Sequence, residues 1–208
     1  MLSPRIRRLK VDHESLLQRF AGSQIIRIAG TAGLPPEIYR FQYNLRGLYV
    51  GANGAILERN EHLLEVNLTL GYPRRAPQCR MLTPVFHPNF DDSTVCIGDF
   101  WAASEGLDDL IIRIGRMIAY QEYNTKSPLN GIAARWAAQN AHLLPVDSRA
   151  VAPPLDGAPA DAVPPQPASA QPVAEAVPPP QQSAPETSVP AVPDSPEADP
   201  WEQKIVIS

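Results

Sequence analysis

The sequence predicts an α+β fold in which helices and strands are segregated along the chain, followed by a proline-rich tail. An amphipathic helix pattern comes first, and four strand-like stretches follow it. Two further helical patterns come after a long irregular segment. Because no helix pattern separates the strand-like stretches, a four-stranded antiparallel meander is favoured over a doubly wound parallel sheet.

The first helix is predicted over residues 4–20. Apolar side chains recur there at mostly helical spacing, at Ile6, Leu9, Leu16, Leu17 and Phe20. Four strands are predicted next, in stretches that are rich in Ile, Val, Tyr and Phe. These stretches are residues 24–30, 39–50, 62–71 and 80–86, and Pro84 stops the last of them. A Gly-Ala-Asn-Gly turn at residues 51–54 joins the second strand to the third.

Two C-terminal helices are predicted after the irregular segment. The first begins at Leu107, where Asp108 and Asp109 suit the positive N-terminal end of a helix. Its apolar face is predicted at Leu110, Ile111, Ile114, Met117 and Ile118. The second helix follows the tetrapeptide SPLN, and its apolar side is predicted at Ile132, Ala133, Trp136 and Ala137.

Composition divides the chain into three parts. Residues 1–144 are predicted to be one folded domain. Residues 145–200 contain 16 of the 24 prolines, so we expect a disordered linker that cannot sustain a packed helix or strand. Residues 201–208, WEQKIVIS, differ in kind and are predicted to be a docking peptide that adds a strand to a partner. The side chains expected to bind are Trp201, Ile205, Val206 and Ile207.

Charge and cysteine content exclude several classes of protein. Residues 1–150 carry 17 basic and 14 acidic side chains, a net charge of +3, which is too weak for a nucleic-acid-binding surface. No stretch approaches the roughly 20 apolar residues of a membrane span. Two cysteines do not make a disulfide framework, so we expect a reducing, cytoplasmic location. No C-x-x-C occurs and the four histidines are scattered, so no metal site is predicted.

The irregular segment 84–106 contains HPNFDDSTVCIGD, which places a histidine and an asparagine upstream of Cys96. A thiol between Val95 and Ile97 is most commonly structural, but a long irregular segment in a compact domain favours a functional role. A protease-like dyad with His87 would need an orienting third group, and none is apparent. A metal would need more ligands than His87 and Cys96 provide.

The ordered set of motifs resembles the ubiquitin-conjugating enzyme family, and within it the bacterial branch. The set comprises Tyr-Pro, a downstream Pro, His-Pro-Asn, a cysteine after Val, a Trp, an amphipathic helix, Pro-Leu-Asn and an Ala-rich helix. It extends over roughly residues 4–142. Cys96 follows Asn89 by seven residues, where the family commonly has eight, and Trp101 comes earlier after the cysteine than is usual.

This resemblance implies that Cys96 accepts a ubiquitin-like protein as a thioester from an activating enzyme and passes it to a lysine of a target. The activating enzyme uses ATP, and no cofactor is expected on this chain. A JAB-type protease is a further expected partner in the bacterial branch. The alternative is a degenerate adaptor of the same fold that only binds a ubiquitin-like protein or an activating enzyme.

The resemblance also implies roles for residues around Cys96. Asn89 matches the family asparagine that stabilises the oxyanion or holds the loop. Asp91 and Ser127 match positions that orient or gate the incoming lysine, and Asp99 is a weaker third candidate. His87 is expected to support the turn rather than act as a base, and Pro88 fixes the φ angle of the turn.

Residues farther from Cys96 complete the expected site. Tyr72 and Trp101 are expected to pack at its border. Four basic residues of the first helix are expected, by the same resemblance, to bind an acidic face of the activating enzyme: Arg5, Arg7, Arg8 and Lys10. A merely solvated helix face explains these four residues equally well.

Overall fold

The computed structural model describes residues 3–97 and 101–153. It contains helices α1 (Pro4–Arg19), α2 (Leu107–Ile118) and α3 (Gly131–Gln139), and a short 3₁₀ turn at Ala141–Leu143. The strands are β1 (Ile26–Gly33), β2 (Pro36–Val50), β3 (Ile56–Asn67) and β4 (Gln78–Met81). The predicted α+β fold is confirmed, with an N-terminal helix, a four-stranded sheet and C-terminal helices.

The four strands form one antiparallel sheet in the order of the chain. Ile28 pairs with Phe41, Phe41 with Leu64, and Leu64 with Met81, so apolar residues line up across the sheet. β2 begins at Pro36 rather than at residue 39, because Pro36 pairs with Gly33 of β1. β3 begins at residue 56 rather than at residue 62, because residues 56–61 pair with the end of β2 through a mostly exposed stretch.

The core lies where one face of the sheet packs against α1 and α2. Both helices begin as their sequences predict. Ser3 caps α1 by accepting a hydrogen bond from the N–H of Ile6, and Asp108 and Asp109 occupy the first turn of α2. The buried side chains include Leu9, Leu16, Phe41, Tyr43, Leu64, Val66, Leu110, Ile111, Ile114 and Ile118.

Two apolar residues predicted to face the core do not. Ile132 is 76% exposed and Leu17 is 53% exposed. The face of α3 that packs inward carries Ala133 and Ala137, which contact a small cluster around Phe86. Ala133 and Ala137 lie four residues apart on one face of α3, and Ile132, one residue before Ala133, lies outside that face.

Packed structure continues beyond residue 144, the predicted end of the domain. The N–H of Arg46 donates to Oδ2 of Asp147 at 3.2 Å. Val151 is 2% exposed and lies in the main core against Gly115. Residues 145–153 therefore lie along the domain, whereas the remainder of the predicted linker and the docking peptide lie outside the described residues.

No helix in the described part of the chain is long and apolar enough to cross a membrane.

Candidate active site

The segment between Asn89 and Cys96 is a tight turn. Phe90 and Val95 form an antiparallel bridge, and the N–H of Asp91 donates to the carbonyl of Thr94 at 3.1 Å. Oδ1 of Asp91 closes the turn by accepting hydrogen bonds from the N–H of Ser93 and Thr94 at 2.8 and 2.7 Å and from Oγ of Ser93 at 2.9 Å. Residues 91–94 therefore form the turn, and this four-residue turn lies within the seven-residue spacing between Asn89 and Cys96.

Those hydrogen bonds also act on the titration of Asp91. They lower the pKa of the exposed carboxyl group, so it is ionised at neutral pH. The carboxylate lies on one wall of a cleft of about 390 Å³, which is also lined by Asp92, Pro84, Val85 and Asn130.

Cys96 is anchored through its backbone. Its N–H donates to the carbonyl of Asn89 at 2.8 Å, and the N–H of Val95 donates to the carbonyl of Cys79 at 2.9 Å. Cys96 is partly exposed, whereas Cys79 is buried in the sheet, and both are free thiols. Burial raises the pKa of Cys79 to about 12, so this thiol stays protonated at neutral pH. Cys96 is therefore the cysteine that a reactant can reach.

Asn89 is held on three sides. Its N–H donates to Nδ1 of His87 at 3.0 Å, its carbonyl accepts from Cys96, and its Oδ1 accepts from the N–H of Asn124 at 3.0 Å. The last bond fixes the plane of the amide. Nδ2 makes no hydrogen bond within residues 3–97 and 101–153.

The turn is joined to the segment before α3 through Pro88. Its carbonyl accepts from the N–H groups of Leu129 and Asn130, both at 2.9 Å. Ser127 is exposed and lies in the segment that Asn124 and Pro88 hold. The structure therefore connects the Ser127 segment to the Asn89 turn. Asn124 makes this connection and was missed in the sequence: its N–H donates to Asn89, and its Oδ1 accepts from the N–H groups of Lys126 and Ser127.

His87 is buried and structural in its contacts. Nδ1 accepts from Asn89, and the ring packs edge-on against Phe90 and Tyr120, with centroids 4.8 and 4.6 Å apart. Burial lowers the pKa of His87 to about 3, and the backbone of Glu122 offsets a smaller part of this effect. The neutral imidazole therefore stabilises the turn by packing against the two rings and by accepting the hydrogen bond from Asn89.

Tyr72 and Trp101 pack together on the α1 side of the domain. Their ring centroids lie 5.9 Å apart, and Nε1 of Trp101 donates to the carbonyl of Pro73 at 2.6 Å. The hydroxyl of Tyr72 donates to Oδ2 of buried Asp12 at 2.6 Å. Burial is the main cause of the raised pKa of Tyr72, so the hydroxyl remains a donor.

Of the four basic residues on α1, two are engaged within the domain. Arg5 pairs with Glu37 at 2.9 Å, and Arg8 pairs with Asp12 at 2.8 Å. Arg7 and Lys10 are exposed. The expected binding residues Trp201, Ile205, Val206 and Ile207, and the candidate Asp99, lie outside the described residues.

Within residues 3–97 and 101–153, no group of three or more His, Cys, Asp or Glu side chains could hold a metal ion.

Comparison with known proteins gives two results. The family model for ubiquitin-conjugating enzyme matches residues 37–144. Among solved structures, a putative ubiquitin conjugating enzyme from Trypanosoma cruzi is similar at 20% sequence identity and a TM-score of 0.49, over 68% of this chain and 92% of that chain.

Proposed function

This chain belongs to the ubiquitin-conjugating enzyme family, and on that premise we propose that it carries a ubiquitin-like protein as a thioester on Cys96. The thiolate of Cys96 would attack the thioester carbonyl on an activating enzyme, and the enzyme's cysteine would leave as thiolate. An amine of a target lysine would then attack the new thioester and release Cys96. The observation that carries the proposal is a reachable thiol whose backbone is bound to Asn89.

Asn89 is proposed to stabilise the oxyanion of the second step. Attack of the amine places negative charge on the former carbonyl oxygen, and a fixed amide donor lowers the energy of that state. Because the N–H of Asn124 holds Oδ1, the amide is oriented before the reaction begins. Removing one such donor typically costs about two to three powers of ten in rate.

The acceptor lysine must lose a proton to react, so a carboxylate or polar group near its amine is expected. We assign this role to Asp91, with Ser127 at the edge of the approach and Asp99 as a weaker candidate. Asp91 is ionised and exposed, and its hydrogen bonds within the described residues all use Oδ1. Oδ2 is left to contact an ammonium group.

The proposed partners are a ubiquitin-like protein, an activating enzyme, a target lysine and, in a bacterial setting, a JAB-type protease. Exposed Arg7 and Lys10 support contact with an acidic face of the activating enzyme better than Arg5 and Arg8, which have internal partners. Residues 201–208 are proposed as a docking peptide after the linker 145–200. Free cysteines agree with a cytoplasmic location.

The test is a charging assay with ATP, the cognate activating enzyme and its ubiquitin-like protein. We expect an adduct that reducing agent removes, that Cys96→Ala abolishes and that Cys96→Ser converts into a stable ester. Cys79→Ser is the matched control, since its buried thiol should not matter. If no adduct forms with any cognate partner set, the protein is the adaptor of the same fold.

Asn89→Asp separates the two roles of Asn89. Aspartate keeps an oxygen for the N–H of Asn124 but has no Nδ2 donor, whereas Asn89→Ala loses both. We expect both variants to charge and both to discharge onto lysine about 100-fold or more slowly. Discharge of Asn89→Asp at the wild-type rate would reduce Asn89 to a brace.

Deleting residues 201–208 should weaken one partner interaction without changing discharge onto free lysine.

A further inference from the structure

The residue that follows Cys96 is held by an arginine from α2. Nη2 of Arg113 donates to the carbonyl of Ile97 at 2.7 Å, and the same nitrogen lies 3.4 Å from Oε1 of Glu105. The Arg113 side chain is 27% exposed, and its Nε is buried without a hydrogen-bond partner in the described part of the chain. Neither the sequence motifs nor the proposed mechanism assigns a role to this arginine.

A second arginine, from α1, binds the backbone of residues 103–105, just before α2. Arg8 donates to the carbonyls of Ala103 and Glu105, and its Nε is fixed by both carboxylate oxygens of Asp12 at 2.9 and 2.8 Å. Glu105 therefore joins the two arginines, through its carbonyl to Arg8 and through its carboxylate to Arg113. We call Arg8, Glu105 and Arg113 the arginine clamp.

The arginine clamp adds backbone contacts on the second side of Cys96. Upstream of the sulfur, the N–H of Cys96 is bound to the carbonyl of Asn89. Downstream, the next carbonyl, that of Ile97, is bound by Arg113. Removing a guanidinium from water costs free energy, which charge-assisted hydrogen bonds must offset, so an ordinary apolar side chain would serve packing alone better. The placement of Arg113 therefore indicates that its hydrogen-bond donors, and not its packing alone, explain why an arginine is found there.

We propose that Arg113, anchored by Glu105, is a positioning residue that fixes the backbone on the downstream side of Cys96. Arg8 ties the carbonyls of Ala103 and Glu105 to α1. The inference deepens the proposed function, since it names what orients the nucleophile of that reaction. It also concerns the position of a thiol, which can be measured without any partner protein.

The test compares Arg113→Met, which keeps the apolar stem, with Arg113→Lys, which keeps a donor. Arg116→Met is the matched control, since Arg116 is exposed and lies one turn along α2. Each full chain is treated with iodoacetamide, and labelling of Cys96 and Cys79 is measured by peptide mass spectrometry. Buried Cys79 reports any general loss of folding.

We expect Arg113→Met to raise the labelling rate of Cys96 by about tenfold, because one charge-assisted hydrogen bond no longer holds the segment. Labelling of Cys79 should not rise, because Cys79 is buried and loss of the positive charge of Arg113 raises the pKa of its thiol further. Arg113→Lys should fall between the wild type and Arg113→Met, and Arg116→Met should match the wild type. Unchanged labelling of Cys96 in Arg113→Met, or a parallel rise at Cys79, would overturn the inference.

A second measurement connects the clamp to the reaction. Where the wild type forms a thioester, Arg113→Met should form it about tenfold more slowly, with partial rescue by Arg113→Lys. Charging of Arg113→Met at the wild-type rate would count against a positioning role. If labelling changes as expected and the wild type forms no thioester, the proposed function fails while the positioning of Cys96 stands.

Discussion

The folded domain should lose stability between pH 7 and pH 5 because two histidines are buried in neutral form. Burial lowers the pKa of His62 to about 4 and that of His87 to about 3, against 6.5 for an exposed histidine. Nε2 of His62 lies 3.1 Å from the carbonyl of Arg59, and Nδ1 of His87 accepts from Asn89. Both side chains remain neutral in the folded protein and take up protons only when the chain unfolds.

The sign follows from these shifts. As the pH falls through 6.5, the unfolded chain binds protons and the folded chain does not, so stability falls with pH until the folded pKa values are reached. At 1.36 kcal/mol per pKa unit, each histidine costs about 2 kcal/mol at pH 5, or about 4 kcal/mol together. This is a large part of the 5–15 kcal/mol typical of a domain. Asp147, whose pKa is lowered mainly by Arg149, acts only at lower pH.

The measurement is urea unfolding of the full chain at pH 7, 6 and 5. We expect His62→Gln and His87→Gln each to lose about 2 kcal/mol less than the wild type between pH 7 and pH 5, whatever their stability at pH 7. His142→Gln is the control, since it replaces an exposed histidine. The reasoning is refuted if both buried-histidine variants show the full wild-type loss.

Three further predictions concern packing and can be checked by thermal or urea unfolding. Gly115→Ala should destabilise by about 1–3 kcal/mol, because the added Cβ would lie 2.7 Å from Cγ1 of Val151; a neutral effect would mean that this contact yields easily. A chain cut before residues 145–153 should be less stable than one cut after them, and equal stability would place the domain boundary at 144. Tyr72→Phe should cost about 1–3 kcal/mol, since Asp12 loses its 2.6 Å donor while buried; an unchanged unfolding midpoint would count against this bond.

Local periodicity explains why most of the fold could be predicted. The apolar spacing on α1 and α2 and the alternating strand stretches are set by neighbours in the chain, and the structure confirms the elements that they predict. Leu17 is exposed, however, and the fourth strand ends at Met81 rather than at residue 86. The course of residues 145–153 depends instead on where Val151 meets Gly115, a contact that composition cannot reveal. Ile132 was misplaced for the same reason, because the face that α3 buries is decided by its neighbours.

Residues of the candidate site differ in the same way: some could be predicted from a local motif, and others only from their contacts in the folded chain. Cys96 and Asn89 could be selected from their motif, whereas Asn124 contacts Asn89 through its backbone N–H, a group that every residue except proline carries, so its identity could not indicate this contact. Arg8 is expected to bind the activating enzyme by the family resemblance, and the structure adds an internal partner, Asp12. Its spacing of four residues from Asp12 is a signal for a helical ion pair and could have indicated an internal role.

The structure also relates the two explanations of Asn89, oxyanion donor and loop brace. Its N–H, carbonyl and Oδ1 are all used to hold the turn, through His87, Cys96 and Asn124. Within the described residues, the one polar group of Asn89 without a hydrogen-bond partner is Nδ2. An oxyanion donor is effective only when its orientation is fixed before charge develops. Bracing of the loop is therefore a condition for the catalytic role of Asn89 and not an alternative to it. Asn89→Asp is the variant that keeps the bracing oxygen and removes the Nδ2 donor.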